Sequence, residues 1–121
     1  MNGADVDSGM HRPAWPAVIR HHDDPELIYV ASAAALQQPD LLGALGYDEA
    51  ETLIDVRGVE YTLHMQDKKI SPRSSGVVRT LYDILGLVKA HAAQTGACCI
   101  AKLYAPTIAD AYEIVRASFQ E

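Results

Sequence analysis

With 121 residues, 49% of them apolar and 21% charged, the chain has the size and balance of one soluble domain with a single core. Its formal net charge of -6 argues against broad nucleic-acid binding, because that activity needs a net basic face. Two cysteines cannot form a disulfide framework, no secretory leader is visible, and no apolar run approaches the ~20 residues of a membrane span. We therefore expect a cytoplasmic protein that binds neither nucleic acid nor a membrane.

The first predicted elements form a hairpin that follows a polar N-terminal segment. Residues 1–12 are small and polar without periodicity, so we expect a disordered tail before a single α+β domain over residues 13–121. A strand is predicted over residues 14–21, in which Pro16 donates no ladder hydrogen bond and therefore belongs at a sheet edge or at the strand's start. A turn and a β-rich run over residues 26–32 complete the hairpin.

A short helix and a second hairpin follow. Ser32 can cap a helix that ends near Gln38, because Pro39 cannot continue it. The second hairpin is predicted over residues 51–66, with an Arg-Gly dipeptide at its turn, since polar residues after the turn alternate with apolar ones: Val59, Tyr61, Leu63 and Met65. Such alternation indicates one buried and one wet face.

The last third of the chain carries the strongest helix patterns. After a polar stretch over residues 67–79, predicted to be a loop, two amphipathic helices are expected over residues 80–96 and 107–120. Each begins with a threonine followed three residues later by an aspartate, as in a capping box. An apolar strand is predicted between them. The fold class is thus α+β, with a mostly antiparallel five-stranded sheet in the order ββ-α-ββ-α-β-α and the two long helices packed on one face.

Cysteines and histidines give no convincing chemical site. In an extended strand Cys98 and Cys99 point to opposite faces, which favours core filling over joint metal binding or redox chemistry. The stretch RHHDDPE, residues 20–26, contains metal-ligand types but is typical of a solvated turn. His64 and His91 are expected to be structural or solvent-exposed, and a cation at His91 would suit the helix dipole. We identify no catalytic residue, no metal site and no cofactor motif.

One local basic stretch in this acidic chain is the candidate ligand site. It lies within residues 67–79, before a helix N-terminus, where cations and hydroxyls could hold a phosphate or another anion. No phosphate-loop spacing supports a specific ligand. The residues predicted to bind are Lys68, Lys69, Arg73, Ser74 and Arg79.

Two hypotheses for the function follow. The first is a small non-enzymatic binding or accessory domain that acts through protein–protein contacts, using an exposed sheet face, an edge strand or the loop over residues 67–79. An edge strand could also pair with a second copy of the chain. The alternative is a small domain that binds an anionic ligand, or an enzyme, through the same basic loop.

Several stretches together resemble a family of small uncharacterised proteobacterial proteins, a domain of unknown function. They are Trp15-Pro16, DDPELIYVAS, TLIDVRGVEYTL and the CCIAKL segment before the last helix, so that the similarity runs from Trp15 to Phe119. The resemblance implies an α+β fold and a bacterial, cytoplasmic setting. It brings no activity and no functional residues.

Overall fold

The computed structural model describes residues 12–21, 25–38, 51–67, 69–94 and 104–119. Within these ranges the chain forms five strands and three helices. In chain order they are β1 (Ala17–His21), β2 (Leu27–Val30), α1 (Ala33–Leu36), β3 (Glu51–Asp55), β4 (Val59–Gln66), β5 (Lys69–Val78), α2 (Leu81–Gln94) and α3 (Ile108–Phe119).

The five strands form one antiparallel sheet in the order β2-β1-β3-β4-β5. Both predicted hairpins are therefore present, and the α+β class with an antiparallel five-stranded sheet is confirmed. β1 is an interior strand whose first residue follows Pro16 directly, so the proline stands at the strand's start rather than at an edge.

The two long helices pack on the same face of the sheet, as predicted. Val18 and Ile54 are register partners on this face, and with Leu27 they join an apolar cluster to buried residues of α2 and α3. The helical members of that cluster are Ile84, Val88, Ala111, Tyr112 and Val115. A second cluster on the opposite face contains sheet residues and Leu36 of the short helix α1. The sheet thus separates two apolar layers.

The stretch over residues 67–79 is not a loop, and this prediction was wrong. It forms β5, which pairs with β4 from Gln66↔Lys69 to Val59↔Val78, with a register shift near its end. The stretch is polar because β5 is an edge strand with mostly exposed side chains. The fifth strand of the sheet therefore comes from this stretch. The strand predicted between the two long helices, with Cys98 and Cys99, lies outside the described residues.

Side-chain caps begin all three helices where the sequence predicts them. The Ala35 N–H donates to Ser32 Oγ over 3.1 Å at the start of α1. Before α2, the Asp83 N–H donates to Thr80 Oγ1 over 3.1 Å and the Thr80 N–H donates to Asp83 Oδ2 over 3.2 Å, which is a capping box closed by aspartate. Before α3, the Asp110 N–H donates in the same way to Thr107 Oγ1, over 3.1 Å. Of the helices in the described ranges, none is long and apolar enough to cross a membrane.

Candidate functional site

Of the five predicted ligand-binding residues the structure describes four, and it does not bring these four together. Lys69 and Arg73 lie on the same face of β5 and are exposed. Ser74 points to the opposite face, because it pairs with buried Tyr61 across the β4–β5 ladder. Lys68 lies outside the described residues.

Arg79 is held by a carboxylate and by the backbone. Its Nε and Nη2 atoms each lie 2.9 Å from Glu60 Oε1, and its N–H donates to the Gly58 carbonyl over 2.7 Å. Gly58 has a φ of 88°, and any side chain there would collide with the Arg79 carbonyl. Glu60 is buried, although the alternation in β4 predicts a wet position for it. Arg79 therefore fixes the start of α2 against the β3–β4 turn.

Four residues form a row across four strands on the face that carries α2 and α3. Arg20 of β1 pairs with Thr52 of β3, and Thr52 pairs with Thr62 of β4. Thr62 in turn pairs with Arg73 of β5. Residues directly opposed in antiparallel strands point to the same side of the sheet. We call Arg20, Thr52, Thr62 and Arg73 the basic row.

The basic row lies beside the helical layer. The apolar cluster under α2 and α3 draws on β1, β2 and β3, but on no described residue of β4 or β5. Arg73 is exposed, and the other three side chains of the row are half-buried. The β4–β5 half of this face is thus a polar surface next to the packed core.

The charge of this polar surface is positive. Among the described residues of the sheet, this face carries the cations Arg20, Lys69 and Arg73, and its carboxylate, Glu60, already binds Arg79. A surface with this charge balance attracts anionic groups in a chain that is acidic as a whole.

A hydroxyl and an imidazole adjoin the centre of the row. Thr62 Oγ1 lies 2.9 Å from His64 Nε2, and 3.4 Å from the Arg73 carbonyl to which it can donate. This distance suits a nucleophile and its base. In the part of the chain that the structure describes, however, no carboxylate holds the His64 ring. The pair therefore offers hydrogen-bonding groups to a ligand.

The outer edge of β5 is closed by a side chain from α1's C-terminus. Gln37 Nε2 donates to the Ile70 carbonyl over 2.8 Å, and the Ile70 N–H donates to Gln37 Oε1 over 3.0 Å. The Gln37 amide therefore makes both bonds that a neighbouring strand would make. Two residues further on, at the next outward-facing position, Pro72 has no N–H to offer. Both features oppose strand addition along this part of the edge.

Replacing Gln37 by alanine is expected to open this edge. The substitution removes two hydrogen bonds, each with a net value of about 1 kcal/mol, and leaves the Ile70 N–H free. We expect faster hydrogen exchange at the Ile70 amide and association that grows with protein concentration in sedimentation. Gln38→Ala, at an exposed neighbouring position, is the matched control. Equal protection of the Ile70 amide in the two variants would contradict this role of Gln37.

A shallow groove of about 380 Å³ adjoins the closed edge. It is lined by Gln37, Asp67, Lys69, Ile70, Ser71 and Pro72. Because it carries one carboxylate and one ammonium group, it does not select an anion by charge.

His91 caps the other edge of the sheet. It is buried, with 3% of its surface exposed, and its Nδ1 accepts the Leu27 N–H of β2 over 3.0 Å. Burial lowers the pKa of His91, against the weaker opposite effect of Glu26. His91 therefore has a structural role, one of the two expected from the sequence, and its burial disfavours a cation near the end of the helix. Sequence reasoning missed this role because Leu27 and His91 are 64 residues apart.

A buried carboxylate, Asp55, organises the β3–β4 turn. Its oxygens accept hydrogen bonds from the backbone N–H groups of Ala14, Arg57 and Val59, at 2.9, 2.9 and 3.0 Å. The Arg57 guanidinium lies 2.8 Å away and also donates to Tyr61 Oη over 2.9 Å. The hydrogen bond from the Arg57 guanidinium to Asp55 raises the pKa of Arg57, and burial raises the pKa of Tyr61. With its oxygens occupied, Asp55 is structural rather than catalytic.

Metal binding gains no support. No cluster of three or more histidine, cysteine, aspartate or glutamate side chains that could hold a metal ion occurs among the described residues. Of the HHDD stretch, only His21 belongs to them.

Comparison with known proteins bears on the family and on the fold. The model of the DUF4144 family, described as a protein structure with unknown function, matches residues 15–115. A solved structure, an NMR structure of a protein from Shewanella amazonensis, is 21% identical and superposes with a TM-score of 0.65, covering 88% of this chain and 90% of that chain. No curated protein matches the chain. These similarities show the family and the α+β fold that the resemblance in the sequence implied.

Proposed function

The chain belongs to the DUF4144 family, and we propose that it is a non-enzymatic cytoplasmic binding domain that acts through protein–protein contacts on the polar part of its sheet face. The contact surface is the basic row together with His64 and Lys69. The bound group is an acidic segment of a partner protein.

The observation that carries this proposal is the composition of the β4–β5 half of the sheet face, on which no described helix packs. The apolar face of an α+β sheet is normally buried under helices, and here α2 and α3 pack on β1 to β3. The part of the face on β4 and β5 instead presents hydroxyls, an imidazole and cations whose carboxylate neighbour is already paired. Such a surface needs no core contact for stability and complements a negatively charged partner.

Two observations favour this face over the β5 edge and over the predicted anion-binding loop. The β5 edge is occupied by Gln37 and interrupted by Pro72. The predicted anion loop is a strand on which Ser74 points away from Arg73, and Arg79 is bound to Glu60. An anion site at this location therefore uses the face of β5 and not a phosphate-binding loop.

A titration of the isotope-labelled protein followed by NMR tests the proposal. The probes are a glutamate-rich peptide and a lysine-rich peptide of equal length at low ionic strength. We expect the acidic peptide to shift the amide signals of Arg20, Thr52, Thr62 and Arg73, and the effect to weaken as salt is added. The lysine-rich peptide should leave these signals unchanged.

Two results would contradict the proposal. One is the absence of any shift with the acidic peptide at millimolar concentration. The other is a response confined to residues on the opposite face of the sheet or equal for both peptides.

A further inference from the structure

We infer that the basic row binds an extended segment that crosses the strands and carries two acidic residues four positions apart. This inference rests on the proposed function and specifies its ligand. It follows from the positions of Arg20 and Arg73 at the two ends of one row.

The strand spacing sets the distance between the two arginines. Arg20 lies on β1 and Arg73 on β5, with β3 and β4 between them. Neighbouring strands are about 4.8 Å apart, so three spacings place the two Cβ atoms about 14 Å apart. An extended chain rises about 3.3 Å per residue, so residues i and i+4 are about 13 Å apart. The two lengths match.

The parity of the spacing matters as much as its length. In an extended chain, side chains at i and i+4 point to the same side, whereas those at i and i+3 point to opposite sides. Only an even separation lets both acidic side chains face the sheet. A separation of two residues is even but spans only half of the row.

The groups of the row suit such a ligand chemically. Each guanidinium can bind a carboxylate through two parallel hydrogen bonds, which is stronger and more directional than a bond from lysine. Between the arginines, the hydroxyls of Thr52 and Thr62 lie beneath the middle of the segment, where they can bond its peptide groups. The row therefore provides an acidic contact at each end and neutral contacts in between.

Isomeric peptides test the spacing. Nine-residue peptides of serine and threonine with two glutamates have the same composition and charge, whether the glutamates are two, three or four positions apart. Calorimetry at low salt is expected to give the four-position isomer at least tenfold tighter binding than the three-position isomer. Arg20→Gln and Arg73→Gln should each abolish this preference. Arg116→Gln, which removes a charge from an exposed pair on α3, should retain it.

The outcomes separate the inference from the proposed function. Equal binding of all three isomers, with shifts on the basic row, overturns the spacing and leaves the binding face intact. Binding of none of them overturns the inference, and it overturns the proposed function as well if the glutamate-rich peptide also leaves the basic row unshifted. Inorganic phosphate or citrate binding as tightly as the four-position peptide overturns the inference, because the row would then be a site for a small anion.

Discussion

Replacement of Asp55 by asparagine is expected to lower the free energy of unfolding by about 3 kcal/mol, the largest single-residue effect that the structure predicts outside the apolar core. The carboxylate is completely buried and accepts hydrogen bonds from three backbone N–H groups and the Arg57 side chain. An asparagine in the same place has one oxygen and an amide that can only donate.

The cost arises from buried donors that lose their acceptor. Asp55 Oδ2 accepts from the Ala14 N–H and from Arg57, while Oδ1 accepts from the N–H groups of Arg57 and Val59. Because N–H donors point at both oxygens, the NH2 group of an asparagine would replace an acceptor and face these donors in either orientation of the amide. An unsatisfied buried polar group costs about 1–3 kcal/mol, and the Arg57 guanidinium also loses the Asp55 carboxylate. The segment before β1 and the β3–β4 turn are both released.

Urea denaturation of Asp55→Asn measures this effect. A loss of about 3 kcal/mol corresponds to a fall of about 10 °C or more in Tm for a chain of this size. Asp67→Asn is the matched control, because it changes the net charge equally at an exposed position. Its φ of 53° also suits asparagine. If the two variants unfold at the same urea concentration, Asp55 does not organise the turn.

Much of the sheet could be predicted because its hairpins are local in sequence. The alternation after Gly58 identifies β4, and the short span between β1 and β2 leaves one way to pair them. The helix starts are equally local, since each cap joins residues three positions apart. Local patterns of this kind depend on the backbone period and on turn chemistry alone.

β5 was missed because composition reflects exposure as well as secondary structure. An edge strand with one exposed face is free to be polar, so its serines, proline and cations resemble those of a loop. Among the described residues, its partner on the outer side is the Gln37 amide, 33 residues earlier. A single glutamine after a short helix gives no signal of such a contact.

The candidate site likewise combines residues that a local sequence pattern predicts with residues that only the fold brings together. The sequence predicts Arg73 as part of a basic cluster, but the residues beside it on the face are set by register across four strands. Arg20 stands 53 positions earlier, and no local sequence pattern connects it with Arg73. The aspartate three residues before Gly58 did carry a turn signal that could have identified Asp55.

His91 is expected to make the protein less stable as the pH falls below about 6.5. Burial lowers the pKa of this imidazole in the folded state, so the unfolded chain takes up its proton first. Stability from the neutral ring is therefore complete above the unfolded pKa of about 6.5 and is lost as the pH falls towards the folded value. The slope contributed by one such group is at most about 1.4 kcal/mol per pH unit.

The hydrogen bond between His91 and the edge of β2 explains why protonation of His91 lowers the stability of the protein. The Leu27 N–H donates to Nδ1, so the neutral ring carries its proton on Nε2, which has no hydrogen-bond partner among the described groups. A second proton must go to Nδ1 and would break the bond to Leu27. Urea denaturation between pH 8 and pH 5.5 should show a steeper loss of stability for the native protein than for His91→Asn. The asparagine carbonyl can still accept the Leu27 N–H and does not titrate. Parallel pH profiles for the two proteins would show that His91 does not couple this edge to pH.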